Sequence, residues 1–327
     1  MRKSMTRKQP CKSAPDGTTS CSGVRILIRL DVATHQSYYQ RIIHTAFITA
    51  LVFANFSCTT DRVYEEKPSL TTGSMTLGER KLIQIQKDQE AIFKRIEESD
   101  DTDESGNLEL SVRHLMTEYE SYLAENPEDV LCLILYGKLL RKIDRLEEAQ
   151  LVFLKANSLD PNLAVVKQQL GNYHAEIGNF EEALGYFLIA VELSPDTALY
   201  TYQLGELLYQ FRDLFLTSGM FNRDTLDRQI SKAFAESARL DSDNIDFQFR
   251  YAESFYDLEN PDWNAALEAW EAVGNSVNSE VEIAAVLLHK ANIYIKLKEP
   301  EKAREIIDNV NLPELAETKE QLLKQLP

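Results

Sequence analysis

A 34-residue repeat is the feature of this sequence that most restricts its fold. Three prolines are spaced by this interval: Pro127, Pro161 and Pro195. Small and aromatic residues recur at the same interval, at Gly137, Gly171 and Gly205, at Ala149 and Ala183, and at Phe153 and Phe187. A fixed period with small and large residues at constant offsets is typical of stacked units, each of which packs on its neighbours.

Within each unit apolar residues recur at three- and four-residue spacing, which predicts two short amphipathic helices. A glycine inside a helix costs about 1 kcal/mol relative to alanine. The glycine recurs at the same position of the first helix in each unit, which suggests that two backbones approach closely there. The alanine and phenylalanine belong to the second helix, which the proline ends because it cannot continue the helical path. Strand signals are nearly absent, so the pattern predicts an all-α fold.

These residues resemble the tetratricopeptide repeat family, which has L-G in the first helix, A-x3-F in the second and a proline at the end. The resemblance implies a right-handed superhelical solenoid of antiparallel helix pairs with a C-terminal capping helix. Two segments, 127–160 and 161–194, match the pattern closely. We predict divergent repeats at 75–126, 195–241, 242–279 and 280–312 and the capping helix at 314–326, so that the solenoid spans residues 75–327.

The third copy is longer than the others. Its second helix, marked by Phe234, comes 13 residues later than the period predicts, and the extra segment 212–226 carries apolar residues such as Phe215 and Met220. Two interpretations stay open at this point. The segment either forms a lengthened hairpin that packs on its own repeat, or exposes a contact loop for a partner.

The N-terminal 74 residues have a different composition from the rest. Residues 1–40 are basic and are expected to be disordered. Residues 41–58 begin with a basic residue, continue with an apolar stretch of about 15 residues and end at Cys58. This arrangement resembles a bacterial lipoprotein signal, which implies cleavage and lipidation at Cys58. An uncleaved anchor, an ordinary signal peptide and a chain that is not exported are the alternatives. Residues 59–74 are polar and predict a flexible tether.

Charge is distributed unevenly. Residues 1–60 hold eight of the 35 Lys and Arg residues and two of the 52 Asp and Glu residues, so the remainder carries a net charge of −23. A surface this acidic argues against nucleic acid as a partner, because phosphate binding needs positive charge. The basic part of the chain contains one short apolar run, Val24–Leu30, interrupted by Arg25 and Arg29.

No motif for catalysis or metal binding stands out. The five histidines are scattered without an H-E-x-x-H spacing, and the four cysteines lack metal-ligand spacing. Neither G-x-S-x-G nor a glycine-rich phosphate loop occurs. The sequence therefore predicts a protein that is not an enzyme and that uses no cofactor or metal.

The family resemblance implies that partners bind on the concave face, at fixed positions of each first helix. Carried over to this chain, the candidates are Lys138, Gln168, Asn172, Tyr202, Glu206, Tyr209, Phe249, Glu253 and Tyr256. Aromatic groups beside carboxylates suit a protein or peptide that bears apolar and basic residues. Alternatively, the aromatic residues fill the interior of the superhelix.

The predicted function is a non-catalytic interaction scaffold, tethered to the membrane of a bacterial cell envelope through Cys58 and active in the assembly of a complex. A soluble cytoplasmic adaptor or regulator is the first alternative. The second is an accessory subunit of an envelope enzyme that processes polysaccharide or peptidoglycan.

Overall fold

The computed structural model describes residues 76–98 and 105–327. The predicted basic extension (1–40), signal-like segment (41–58) and tether (59–74) lie outside these residues. The described part contains fourteen α-helices and no strand, so the prediction of an all-α fold is confirmed. Consecutive helices pack against each other along the chain, which is the arrangement of a solenoid of helix pairs.

Six helix pairs, an inserted helix and a terminal helix make up the stack. The first helices of the pairs are α1 (Leu77–Glu98), α3 (Val130–Lys142), α5 (Ala164–Glu176), α7 (Ala198–Gln210), α10 (Ile245–Ser254) and α12 (Glu280–Lys296). Their second helices are α2 (Ser105–Glu125), α4 (Leu146–Leu159), α6 (Phe180–Leu193), α9 (Arg223–Leu240), α11 (Trp263–Ser276) and α13 (Pro300–Asn309). The short α8 (Arg212–Thr217) lies between α7 and α9, and α14 (Ala316–Leu323) follows α13. Within residues 76–98 and 105–327, no helix combines the length and hydropathy needed to cross a membrane.

The repeated prolines lie just beyond the second helices. The helices α2, α4 and α6 each end two residues before a proline, at Glu125, Leu159 and Leu193. Proline disfavours the helical conformation of the residue before it, and it cannot donate a backbone hydrogen bond. The periodic proline therefore sets the length of these three second helices.

The repeated glycines make room for a phenylalanine ring. A Cβ atom added to Gly137 would lie 2.7 Å from two ring atoms of Phe153, and one added to Gly205 would lie 2.8 Å from the ring of Phe234. Both rings belong to the second helix of the same pair and are fully buried. The sequence suggested a close approach of two backbones. The structure shows instead that a ring packs on the bare glycine.

Tight turns of one kind join the two helices within three of the pairs. Asp144 and Gly178 have positive φ angles of 63° and 82°, and each lies two residues beyond the end of its first helix. Lys298 has the same position and a φ angle of 63° in the last pair. In the fourth pair the corresponding residue is Arg212, and here the chain enters α8 instead of a tight turn. The insertion therefore starts where the tight turn of the preceding pairs would lie.

Polar caps fix the start of several helices in the second half of the stack. The side chains of Asn222, Asn244 and Asp262 accept hydrogen bonds from the first backbone N–H groups of α9, α10 and α11. Ser279 and Glu282 form a capping box at the start of α12. Such caps satisfy amide groups that lack an intrahelical partner, and so they specify where these four helices begin.

Candidate functional site

Side chains from successive first helices meet along one surface, and in the first half of the stack they form a hydrogen-bonded ladder. Gln168 Nε2 on α5 donates to Gln203 Oε1 on α7 (2.8 Å), and Gln169 Nε2 donates to Gln168 Oε1 (2.8 Å). Arg141 on α3 donates to Gln169 Oε1 (3.4 Å) and forms a 2.5 Å ion pair with Glu176. We call this surface, lined by the inward residues of α3, α5, α7, α10 and α12, the first-helix face.

Arg250 on α10 is the centre of the same surface in the next two pairs. Its Nε lies 2.5 Å from Glu206 Oε1 on α7, and its Nη1 lies 3.8 Å from Asp257 Oδ2. The guanidinium carbon lies 4.3 Å from the ring centroid of Tyr209 and 4.2 Å from that of Phe234. Burial lowers the pKa of Arg250, whereas the two carboxylates raise it, and the net shift is upward. Arg250 is thus a charged residue that joins α7 to α10 and neutralises much of the acidity of this region.

The inserted segment is tied to the end of α10 by two arginines. Arg212 Nη1 and Arg223 Nη2 donate to the carbonyl of Asp257, at 3.0 and 3.2 Å. Asp227 on α9 pairs with both arginines, at 3.4 and 3.0 Å, and accepts a hydrogen bond from the backbone N–H of Glu259. The insertion therefore joins the fourth pair to the fifth as well as lengthening the hairpin.

Packing favours a lengthened hairpin over an exposed contact loop for segment 212–226, although its aromatic contact is with the preceding pair and not with its own repeat. Phe215 is fully buried, and its ring meets those of Phe180 and Phe221 at 4.9 and 5.6 Å between centroids. Leu214 and Met220 remain exposed. The main apolar contact of the insertion is therefore with the stack itself.

An aromatic cluster lies at the C-terminal end of the first-helix face, where α10, α11 and α12 meet. His289 on α12 stacks on Trp270 with 3.8 Å between ring centroids, and the hydroxyl of Tyr256 lies 3.2 Å from His289 Nδ1. Burial lowers the pKa of His289 to about 4, so the imidazole is neutral near pH 7. Phe249 contacts Trp270 edge to face at 5.7 Å. These rings pack α10, α11 and α12 together.

The structure distributes the predicted groove residues along the first-helix face with unequal exposure. Four of them are buried: Gln168, Asn172, Tyr202 and Glu206. Five are half-buried: Lys138, Tyr209, Phe249, Glu253 and Tyr256. Tyr202 packs on the rings of Phe234 and Phe247 at 5.7 and 4.7 Å, which is the packing of a core residue. Cys58 lies outside the described residues.

Several residues of the face were not singled out from the sequence. Gln169 and Gln203 are 34 residues apart, and Arg250 follows Gln203 by 34 residues plus the 13 of the insertion. Gln169 and Gln203 directly follow the predicted groove residues Gln168 and Tyr202 in the sequence. The 34-residue period was therefore sufficient to identify them as residues of the same face. His289 occupies the equivalent place on α12, one residue after Leu288.

Two acceptor atoms on this face lack a hydrogen-bond partner within the described part of the chain. They are Glu176 Oε2 and Gln210 Oε1, both buried, on the last turns of α5 and α7 and 34 residues apart. Burial raises the pKa of Glu176 against the opposing effect of Arg141. A buried acceptor without a donor costs about 1–3 kcal/mol. Among residues 76–98 and 105–327, no group of three or more His, Cys, Asp or Glu side chains is arranged to hold a metal ion.

Comparison with known proteins identifies the class of fold. The sequence profile of the tetratricopeptide repeat matches residues 132–163. The solved structure of Pseudomonas aeruginosa pilF is 14% identical and covers 75% of this chain and 99% of its own, with a TM-score of 0.50. The protein therefore has the fold of tetratricopeptide repeat proteins, and residues 132–163 form one such repeat.

Other solved structures are similar over a smaller part of the chain. YrrB, described as a TPR protein with an unusual peptide-binding site, is 18% identical and covers 63% of this chain and 92% of its own, with a TM-score of 0.47. MamA from Desulfovibrio magneticus RS-1 is 16% identical and covers 62% and 97%, with a TM-score of 0.42. No curated protein matches the sequence.

Proposed function

We propose that the protein is a non-catalytic scaffold that holds a segment of another protein along the first-helix face. The observation that carries this proposal is the continuity of that face, where side chains of α3, α5, α7, α10 and α12 interlock into one polar and aromatic surface. Such surfaces on repeat proteins are the usual place for extended ligands.

The chemistry of the face favours a partner with apolar and basic residues. Half-buried rings of Tyr209, Phe249 and Tyr256 offer apolar contact, and aromatic faces also attract cations. Because Arg250 already pairs with Glu206, that carboxylate would attract a basic group of the partner only weakly. Most of the electrostatic attraction would come from the net negative charge of the chain beyond residue 60. Protein, and not nucleic acid, is the partner that this surface suits.

Photo-crosslinking in cells tests the proposed binding face. A photoreactive phenylalanine at position 209 would lie on the first-helix face, and one at position 186 would lie on the second helix α6. Tyr209 and Tyr186 are both half-buried tyrosines, so the two variants are matched. We expect a discrete adduct with a partner from position 209 and none from position 186. Adducts from position 186 alone, or from neither, would refute the assignment of the face.

We further propose that the scaffold is tethered to the membrane of a bacterial envelope through a lipid on Cys58, where it assists the assembly of a complex. The lipoprotein-like order of residues 41–58 supports this address, and several acyl chains suffice for stable anchoring. The mass of the mature N-terminus, measured beside a Cys58→Ala variant, tests it. We expect an acylated Cys58 in the membrane fraction that is lost in the variant. An intact soluble chain in both preparations would instead support a cytoplasmic adaptor.

The accessory-subunit alternative makes a different prediction. The chain would then co-purify with an envelope enzyme that processes polysaccharide or peptidoglycan, and would change that enzyme's rate without activity of its own. Identification of the adduct at position 209 separates this alternative from an assembly role.

A further inference from the structure

Two second helices of the stack carry an exposed apolar surface. Five exposed residues form it: Leu151 and Leu154 on α4, and Gly185, Leu188 and Ile189 on α6. Residues three or four positions apart share one side of a helix, and residues 185 and 188 repeat the positions of residues 151 and 154 after 34 residues. The five residues therefore lie on the same side of their helices, and we call them the second-helix patch.

The two helices of the patch are neighbours in the stack. Both α4 and α6 pack against α5, and Tyr186 on α6 packs against the core cluster that contains Phe153 of α4. Tyr186 itself turns away from the patch, because its ring stacks on His174 of α5 with 5.4 Å between the centroids. A photoreactive group at position 186 therefore does not report on the second-helix patch.

The other second helices are polar at the equivalent position. Leu151 and Gly185 each lie two residues before the buried phenylalanine of their helix. The exposed residues at this position of α2, α9, α11 and α13, counted from Tyr119, Phe234, Trp270 and Ile307, are Thr117, Lys232, Glu268 and Glu305. The apolar character of the patch is thus a property of α4 and α6 and not of the repeat.

Gly185 is not needed for the packing of the stack. The recurring glycines of the first helices each face a phenylalanine ring, whereas a Cβ added to Gly185 would meet no atom within 4 Å. A glycine inside a helix is less favourable than an alanine, so the fold alone does not account for it. On a helix surface a glycine lets a second helix come close, because the distance between two helix axes depends on the side chains at their contact.

The charges around the patch are mostly negative. Four exposed carboxylates of α4 and α6 form no ion pair within the described part of the chain: Glu147, Glu181, Glu182 and Glu192. Glu148 is paired with Arg145, and Lys155 is the only other cation on the exposed surface of the two helices. An apolar surface with an acidic border suits a basic ligand and repels the anionic surface of a membrane.

We propose that the second-helix patch binds an amphipathic helix of another protein, whose apolar stripe packs over Gly185 and whose flanks carry Lys or Arg. The leucines and Ile189 contact the apolar stripe, and the four unpaired carboxylates face the basic flanks. This contact does not depend on what binds the first-helix face. The protein would thereby hold two partners, or two segments of one partner, on different sides of the stack.

Titration with a synthetic helix tests the patch in the purified full chain. The probe is a labelled peptide of about five helical turns, with leucine at every third or fourth position and lysine on both flanks, beside the same peptide with glutamate in place of lysine. Leu151→Gln/Leu188→Gln removes two apolar side chains of the patch, and Gly185→Gln fills the gap between them.

Two leucines outside the patch provide the matched control. Leu110 on α2 is 67% exposed and Leu151 is 66% exposed, whereas Leu214 on α8 is 46% exposed and Leu188 is 49% exposed. Leu110→Gln/Leu214→Gln therefore removes the same amount of exposed apolar surface at other places on the protein.

We expect the lysine peptide to bind the control variant as tightly as the unaltered chain, and to bind both patch variants about tenfold more weakly. The glutamate peptide should bind none of them. Gly185→Gln should melt no lower than the unaltered chain, because glutamine is a better helix former than glycine and the space is open, so its loss of binding would not come from unfolding. Equal affinity for the patch and control variants, or no binding of the lysine peptide to the unaltered chain, would overturn the proposal.

Two other occupants of the patch would give different results. If sedimentation shows a dimer that Leu151→Gln/Leu188→Gln dissociates, the patch joins two copies of the chain and the partner helix is refuted. If vesicles of anionic phospholipid bind the chain through the same two leucines, the patch faces a membrane and the partner helix is again refuted. Crosslinking from position 209 reports on the first-helix face alone, so the proposed function is tested separately.

Discussion

The contact between Gly137 and Phe153 makes a quantitative prediction about stability. In Gly137→Ala the new Cβ would lie 2.7 Å from Cε1 and Cζ of Phe153 and 3.1 Å from Cδ1. The ring is fully buried, so it can yield only by displacing its neighbours. Overpacking of this kind costs about 1–3 kcal/mol, and the gain in helix propensity returns about 1 kcal/mol. We expect a net destabilisation of up to about 2 kcal/mol.

Gly185 provides the matched control. It lies inside α6, and an added Cβ would meet no atom within 4 Å. Gly185→Ala should therefore stabilise the protein by about 1 kcal/mol. The same substitution is expected to have opposite signs at the two sites. Gly171→Ala should fall between them, because its Cβ would lie 3.2 Å from the ring of Phe187.

Urea and thermal unfolding of the three variants measure these effects. For a protein of this size, 1 kcal/mol corresponds to about 2–4 °C in Tm, so Gly137→Ala and Gly185→Ala should differ by several degrees. A double-mutant cycle with Phe153→Leu isolates the overlap, because the smaller side chain should recover part of the loss as a coupling energy of about 1 kcal/mol or more. If Gly137→Ala stabilised the protein as much as Gly185→Ala, the steric account of the periodic glycine would be wrong.

Three further predictions concern the divergent half of the stack. Arg250→Met should lower the free energy of unfolding by about 3–5 kcal/mol, because it leaves buried carboxylates unpaired. Arg239→Met, which removes an exposed ion pair, should change the free energy of unfolding by less than about 1 kcal/mol. Similar losses for the two variants in urea unfolding would contradict this prediction. Phe215→Ala should cost about 3–5 kcal/mol and Leu214→Ala should have little effect; the reverse order would show that the insertion does not pack on the stack. For His289, the folded pKa of about 4 lies below the unfolded value of about 6.5, so its contribution is complete above pH 6.5 and falls by up to about 3 kcal/mol as the pH drops to 4. His289→Gln should flatten this part of the stability profile, and an unchanged slope would exclude the residue as its cause.

The fold was predictable because its signals are local and periodic. Proline spacing fixed the ends of α2, α4 and α6, and the recurring glycine and phenylalanine identified the contact within each pair. The reason inferred for the glycine was incomplete, since spacing alone does not distinguish a neighbouring backbone from a ring such as Phe153.

The internal pairing of the face was harder to predict. Glu206 and Arg250 are 44 residues apart, and the 13-residue insertion between them hides the register that would place them side by side. Predicted groove positions therefore included Glu206 as a ligand group without its cation. The 34-residue period was sufficient to predict that Gln169 and Gln203 occupy equivalent positions. That these glutamines form a hydrogen-bonded ladder could not be predicted, because the ladder also needs Gln168 to be buried beside them.

The same pairing determines what kind of recognition this face can provide. Arg250 pairs with Glu206 and Arg141 pairs with Glu176, so two of the carboxylates that line the face are already engaged by cations of the stack. Attraction of a basic partner then comes mainly from the net charge of the acidic body, which acts over about a Debye length and is screened by salt. Selection among basic partners has to come from the apolar fit against the rings. We therefore expect added salt to slow association more than it speeds dissociation, because the long-range term governs encounter and the close contacts govern release.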